Sequence, residues 1–319
     1  MTTCRFWLAA ALFAAAAAHA QNYPQRAVRL VVPYVPGGGT DFTARVIAPK
    51  LSEALGQQVV VENRPGGGTN IGSDLVAKAA PDGYTLLMAG AANAINMSLY
   101  AKLPYDTLRD FAPVSLSVKG ANVLLVHPSL PAKNLKELLA LARAQPGKLN
   151  YASSGIGSAN HMAGELLKLV AKVNIAHVPY KGNAPALTDL IGGHVEILIS
   201  GVPAVIGQIK NGRVRAIAIA SLKRFPALPD TPTIDESGLK GFEATTWFGV
   251  MAPIKTPREI VTRLNSDLAR ITVAADVRER FIGEGVEPIG GTPELFAAFI
   301  REEIDKYAKV VKAAGLTAD

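Results

Sequence analysis

The sequence predicts an α/β fold built on mostly parallel sheets flanked by helices, and three observations predict it. Short apolar runs alternate with stretches of helical spacing, which is the mark of a parallel sheet with crossover helices. Two similar glycine-rich loops, Pro33–Asp41 and Ser153–His161, each follow an apolar run and open a helical pattern. The chain has 319 residues, enough for one large domain or two lobes. The paired loops favour two lobes with a small anion held between them. Glycine lets backbone approach a ligand, and the first N–H groups of a helix lack internal partners, so such a loop binds anions without a charged side chain.

The elements follow in order. Val28, Leu30, Val31 and Val32 form a buried strand; the first loop opens a helix with Ala44, Ile47, Ala48, Leu51 and Leu55 on one face and Gly56 as its C-cap. Gln58–Glu62 is a strand, Asn63–Gly68 a turn, Asn70–Ala80 a helix stopped by Pro81-Asp82-Gly83, and Leu86–Met88 a strand. Val123–Pro128 is a strand leaving the first lobe, and Leu135–Ala144 a helix ended by Pro146-Gly147. Leu149–Ala152 leads into the second loop, followed by a helix to Ala171, a strand over Ile175–Val178 and a helix over Asn183–Ile191. Val195–Ile199 and Val214–Ile219 are buried strands; Leu222–Gly241, rich in Pro, Gly and charge, is a surface connection. Phe242–Met251 is a strand returning to the first lobe, and helices over Pro257–Val273, Asp276–Gly285 and Pro293–Ala314 close the chain.

Met1–Arg5 is short and basic, Phe6–Ala18 is apolar, and Ala18-His19-Ala20 is a small-x-small cleavage site. That is a secretory signal with cleavage after Ala20. The single cysteine, Cys4, lies in the leader. The mature chain is therefore expected to lack thiols, disulfides and cysteine metal sites. A formal charge of +7 is mildly basic and favours anionic ligands. Lys and Arg are scattered with no aromatic-rich basic stripe, which argues against nucleic acid. No G-x-S-x-G elbow supports an esterase. Gly155-x-Gly157 lacks the third small residue of a dinucleotide fingerprint, since Asn160 stands there, and neither loop ends as a P-loop does. His161 and Glu165 lie four apart, but two ligands on one helix make no metal site. No cofactor, metal or catalytic residue is expected.

Many stretches, in order, resemble one family: Tyr23-Pro24, Pro36-Gly37-Gly38 with Asp41 and Ala44-Arg45, Val61–Gly66, Asp82–Leu86, Ser153-Ser154-Gly155 with Gly157-Ser158 and His161, His177–Gly182, Trp247-Phe248-Gly249 and Ala252-Pro253. The chain resembles the Bug family, the substrate-binding proteins of tripartite tricarboxylate transporters. The resemblance implies a two-lobed, type II periplasmic binding protein with two crossing segments as hinge. Lobe 1 is then 21–121 with 247–319, and lobe 2 is 122–246. It implies a small carboxylate ligand, a monomeric receptor, and a membrane permease as partner; a sensor kinase is the alternative partner, and a secreted hydrolase a remoter reading.

By the same resemblance, the first loop, Tyr34, Val35, Pro36, Gly37, Gly38, Gly39 and Thr40, offers N–H groups to one carboxylate. Asp41 is structural: it caps the helix by accepting an N–H two or three residues on and pairs with Arg45. From the other lobe, Ser153, Ser154, Gly155, Gly157, Ser158 and His161 supply hydroxyls and N–H groups. Ser158 is the best side-chain candidate, while His161 either touches ligand or orients the loop. Tyr180 lays a ring against an apolar or aromatic ligand, and Lys181 either neutralises a carboxylate or is solvated. Asn93, after a strand end, hydrogen-bonds the ligand. Many relatives carry an acidic residue near Ser200; a serine there favours a carboxylate without an ammonium group.

Overall fold

Residues 23–318 are described by a computed structural model; the expected leader at 1–20 lies outside them. β1 (Val28–Val32) leads to α1 (Gly39–Leu55), which ends at Gly56 in the left-handed region with φ 68°, the glycine cap that its sequence signals. β2 (Val59–Asn63), α2 (Asn70–Ala77), β3 (Thr85–Gly90) and α3 (Ala91–Leu99) follow. β2 and β3 flank β1, and both run parallel to it. β4 (Phe111–Gly120) then runs straight into β5 (Asn122–Val126), α4 (Leu135–Ala144), β6 (Asn150–Ser153) and α5 (Ala159–Ala171). Next come β7 (Ala176–Pro179), α6 (Asn183–Ile191), β8 (Ile197–Gly201), α7 (Ile206–Lys210) and β9 (Arg215–Ile219). β10 (Thr246–Pro253), α8 (Arg258–Val273), α9 (Ala275–Gly283), β11 (Val286–Pro288) and α10 (Pro293–Ala314) complete the chain.

Two sheets result. One has six strands in the order β11-β4-β10-β3-β1-β2, the other five in the order β7-β6-β8-β5-β9. The α/β class holds, but both sheets are mixed rather than mostly parallel. β1–β2, β1–β3, β6–β7 and β6–β8 are parallel; β10 pairs antiparallel with β3 and β4, and β5 antiparallel with β8 and β9. The reason is the pair of crossings. A strand that enters a sheet from the other sheet arrives from the opposite end, so it runs against the crossover strands.

Helices cover both faces of each sheet, which is why the strands are apolar throughout. In the first sheet, Leu30, Val32, Ile47, Leu51 and Met88 pack on one face, with Trp247, Phe296 and Tyr307 on the other. In the second, Leu124, Leu138, Tyr151 and Ile199 lie on one face and Val123, Leu190 and Leu198 on the other. Each fully buried aliphatic side chain contributes about 1.5–3 kcal/mol of transfer free energy.

Asn122, buried at the first crossing, ties the two crossings together. Its Nδ2 donates to the Ala244 carbonyl at 2.8 Å, its own carbonyl accepts from Ala220 N at 2.8 Å, and Ala244 N donates to the Ala220 carbonyl at 2.9 Å. Those bonds occupy Ala244, and β10 starts at Thr246, later than the apolar run suggests. Leu222–Gly241 is the irregular connection expected, although Phe225, Leu228 and Ile234 bury their side chains.

Candidate functional site

β1 ends at Val32 and delivers the first loop to the helix start at Gly39. Gly37 has φ 89°, which a side chain would strain. The N-cap, Gly38, provides no side-chain cap, and Phe42 N is the first to close a helical bond, to the Gly38 carbonyl at 2.9 Å. Among the described residues no acceptor lies on the N–H groups of Gly38, Gly39 and Thr40. The positive helix end therefore keeps unused donors, at exposed Gly38 and Gly39 and at buried Thr40.

Asp41 fixes this arrangement from behind. Its Oδ2 accepts from Gly37 N at 3.0 Å and Arg45 Nε at 2.9 Å, and its Oδ1 accepts from Asn63 Nδ2 at 2.9 Å. The ion pair with Arg45 is the expected one, whereas the cap points back to Gly37 instead of onward into the helix. Desolvation pushes this carboxyl up, but the hydrogen bonds from Arg45, Gly37 and Asn63 together outweigh it and hold the group below its usual range. Asn63 Nδ2 also donates to the Tyr34 carbonyl at 3.1 Å. Burial, and then Tyr105, push the Tyr34 hydroxyl up, so it stays neutral. Val35 is exposed, as are Pro36 to Gly39. A Cβ on Gly39 would lie 3.0 Å from the Phe248 ring.

The second loop leaves β6 and is held from two sides. Tyr180 N and Gly182 N donate to the Ser153 and Ser154 carbonyls, both at 3.1 Å. Ser153 Oγ sits 2.7 Å from His177 Nε2 and accepts from Gly155 N at 3.1 Å. Ser154 Oγ approaches Asn160 Oδ1 at 3.4 Å, and Asn160 Nδ2 donates to the Ile199 carbonyl at 2.7 Å. Ser158 is the N-cap of α5: its Oγ accepts from His161 N at 3.2 Å and donates to the Gly155 carbonyl at 2.7 Å. The hydroxyl first expected on the ligand thus holds the loop's shape. The Ala159 and Asn160 N–H groups remain as outward donors, without an acceptor among the described residues.

His161 is buried and accepts from Gly157 N through Nδ1 at 3.2 Å. That bond ties the ring to the loop. The ring stacks on His177 at 4.0 Å, which stacks on Tyr151 at 4.8 Å. Desolvation lowers the His161 pKa to about 4, Glu165 acting against it and Lys168 with it. His177 is likewise lowered to about 4, by desolvation first and then by His161. Both rings are therefore neutral near pH 7, and Nδ1 keeps its lone pair for Gly157.

Three of the residues expected on the ligand spend their hydrogen bonds within the protein in this conformation. Asn93 is fully buried; its Oδ1 accepts from Gly90 N at 3.1 Å and its Nδ2 donates to Ser73 Oγ at 2.9 Å, so it caps α3. Tyr180 donates its hydroxyl to Asp189 Oδ2 at 2.6 Å, and desolvation followed by that carboxylate pushes its pKa up to about 12. Ser200 is fully buried and donates to the Gly201 carbonyl at 3.2 Å.

The second loop packs against α3. A Cβ on Gly157 would lie 2.5 Å from Leu99 Cδ2 and 3.8 Å from Asn96 Oδ1. Since α3 follows β3, the neighbour of β1, the second loop lies over the sheet end that carries the first. Below it is a polar cluster that the sequence reading missed. Asn96 Nδ2 donates to the Gly68 carbonyl at 2.8 Å and Asn70 Oδ1 at 2.7 Å, and Tyr105 donates its hydroxyl to Asn70 Oδ1 at 3.2 Å. The turn feeding it keeps Gly66, Gly67, Gly68 and Thr69 all at positive φ, the last at 84°, a strained value for a β-branched residue. The spacing of Asn93 and Asn96 on an otherwise apolar helix was the available signal. Among the described residues, no group of three His, Cys, Asp or Glu is placed to hold a metal ion, and no helix is long and apolar enough to cross a membrane.

Known proteins resemble this chain over most of its length. The family model described as "Tripartite tricarboxylate transporter family receptor" matches residues 43–316. Protein BugT of Bordetella pertussis is 41% identical over 303 residues, spanning 94% of this chain and 93% of that one. A protein of R. palustris solved with adipate is 40% identical, with a TM-score of 0.86 over 92% of this chain and 99% of its own. MatC from Rhodopseudomonas palustris, solved with bound malate, is 35% identical, with a TM-score of 0.82 over 91% and 100%.

Proposed function

Because the chain belongs to the tripartite tricarboxylate transporter receptor family, a family of periplasmic solute-binding proteins, we propose that it captures a small carboxylate between two lobes for delivery to a membrane permease. Lobe 1 comprises 21–121 and 247–319, and lobe 2 comprises 122–246, with Asn122 and Ala244 at the hinge. The leader is removed after Ala20, which the mass of the exported protein tests. The ligand's carboxylate takes the N–H groups of Gly38, Gly39 and Thr40 from lobe 1 and those of Ala159 and Asn160 from lobe 2. Closure excludes water and strengthens these charge-assisted bonds. The closed form is what the permease reads.

The observation that carries this reading is the uncapped start of α1, with three N–H groups that have no acceptor among the described residues. In a soluble fold such donors are normally met by a cap, water or ligand. The adipate and malate bound by two relatives support a dicarboxylate, and the serine at position 200 favours one without an ammonium group.

Titration calorimetry on protein stripped by unfolding and refolding tests it, with malate, adipate, nicotinate, benzoate and glutamate. Gly38 has φ −85°, close to the angle a proline ring requires. Gly38→Pro therefore deletes one donor while leaving the helix in place. An affinity loss of roughly 10- to 100-fold is expected, from about 1.5–3 kcal/mol per hydrogen bond to a charge. Unchanged affinity would remove the first loop from the binding site.

A further inference from the structure

A second groove opens behind the two crossings. It has a volume of about 530 Å³ and lies between the ends of β4, β9 and β11, the tip of α9 and the start of the 222–241 connection. The two glycine-rich loops lie on the other side, at the ends of β1 and β6. Its apolar surface has no structural need to be bare. Leu222, Ile282 and Ile289 are each more than a third exposed, and Phe225 and Val286 lie beneath them. Single exposed aliphatics are ordinary, but a cluster of them in one concave patch marks a binding surface.

The charges of the lining add a polarity. Lys119, Lys223 and Arg278 line the groove, and among the described residues none of them joins an ion pair. Arg224 is engaged by Glu236 at 2.9 Å. Glu243 and Glu287 are the two carboxylates in the lining, also without ion pairs. Lys119 places its ammonium 4.0 Å over the Phe299 ring, which leaves Lys223 and Arg278 as the cations without a partner among the described residues, and the lining still counts three cations outside ion pairs against two carboxylates.

From this we infer that the groove is a second ligand site, for a small amphipathic monoanion whose apolar body lies on Leu222, Phe225 and Ile282 and whose acid group meets Lys223 and Arg278. A further consequence rests on the hinge reading above. Front loops and rear groove lie on opposite sides of the same crossings, so a rotation that parts the loops narrows the groove. Here the second loop lies against α3, Gly157 beside Leu99, while the groove stands open. An occupant that keeps the groove open therefore keeps the front closed, and the coupling is reciprocal.

The test uses the mature chain and 8-anilinonaphthalene-1-sulfonate as probe, read by its fluorescence. One saturable site is expected. The double variant Lys223→Glu/Arg278→Glu, both residues exposed, should weaken probe binding at least about fivefold and leave malate or adipate affinity without the probe unchanged. Gly38→Pro should leave probe binding intact. Saturating probe should tighten the dicarboxylate roughly fivefold. Binding that the charge reversal weakens supports the site even when no dicarboxylate binds in front, so the two readings fail separately. Absence of a saturable site, indifference to the charge reversal, or loss of the probe in Gly38→Pro would overturn the inference.

Discussion

Substituting alanine for Gly157 separates closure from stability. The residue has φ 76°, and holding alanine in that region costs about 1–2 kcal/mol. The new methyl would also lie 2.5 Å from Leu99 Cδ2, closer than real carbon neighbours come. Leu99 is 1% exposed in the cluster with Trp247 and Phe296, so it cannot swing aside. Overpacking of this kind costs about 1–3 kcal/mol. The two costs fall on different states. The backbone strain acts wherever the loop keeps its shape, whereas the clash acts only when the second loop sits on α3. Gly157→Ala should therefore lower the urea midpoint by the strain alone and weaken ligand by the clash as well, roughly 5- to 100-fold in Kd by calorimetry. Adding Leu99→Ala should recover the affinity while lowering stability further, because it opens a cavity worth about 2–5 kcal/mol. Wild-type affinity in Gly157→Ala would refute the reasoning, since the ligand-bound form would then not bring the loop onto α3.

Two further outcomes follow from the buried groups. His161 and His177 are lowered to about 4 from 6.5, so between those values the unfolded chain holds protons that the folded chain refuses. Stability is thus present above pH 6.5 and lost as pH falls towards 4, by up to about 3 kcal/mol at His161; urea midpoints across that window should show the fall, and His161→Gln, which keeps an acceptor but does not titrate, should flatten it. Asn122→Leu strands the Ala244 carbonyl at the hinge and should cost about 1–3 kcal/mol of stability, with altered ligand affinity as the sign that the crossings set the closing equilibrium and wild-type affinity as the sign that they do not.

Much of this architecture is legible in residue patterns, because period and punctuation act locally. The helices Leu135–Ala144, Asn183–Ile191 and Pro293–Ala314 lie where their apolar spacing and stop signals put them. β4 escaped notice because Pro113, Ser115 and Ser117 break its apolar run; both serines are nonetheless fully buried beneath helices from distant sequence. The direction of the antiparallel strands, though not their existence, escaped for a related reason. Strand direction depends on where the chain crosses between sheets, and nothing local in Asn122 or Thr246 announces that. At the candidate site the glycine-rich turns that open the two helices were readable, since positive φ at Gly37, Gly155 and Gly157 is a local fact. The side chains were not. Ser158, Tyr180 and Asn93 are residue types that suit a ligand, yet each spends its hydrogen bonds on a neighbour that only the folded chain supplies: Gly155, Asp189 and Ser73.

The central claim is that backbone N–H groups at two helix starts hold the ligand's carboxylate. The most direct measurement is a titration of 15N-labelled protein with malate or adipate, following the amide proton shifts. The account requires saturable downfield shifts at Gly38, Gly39 and Thr40 together with Ala159 and Asn160, while Gly37 and Gly157, already donating to Asp41 and His161, move little. Saturable binding that leaves those five amides unmoved would contradict it.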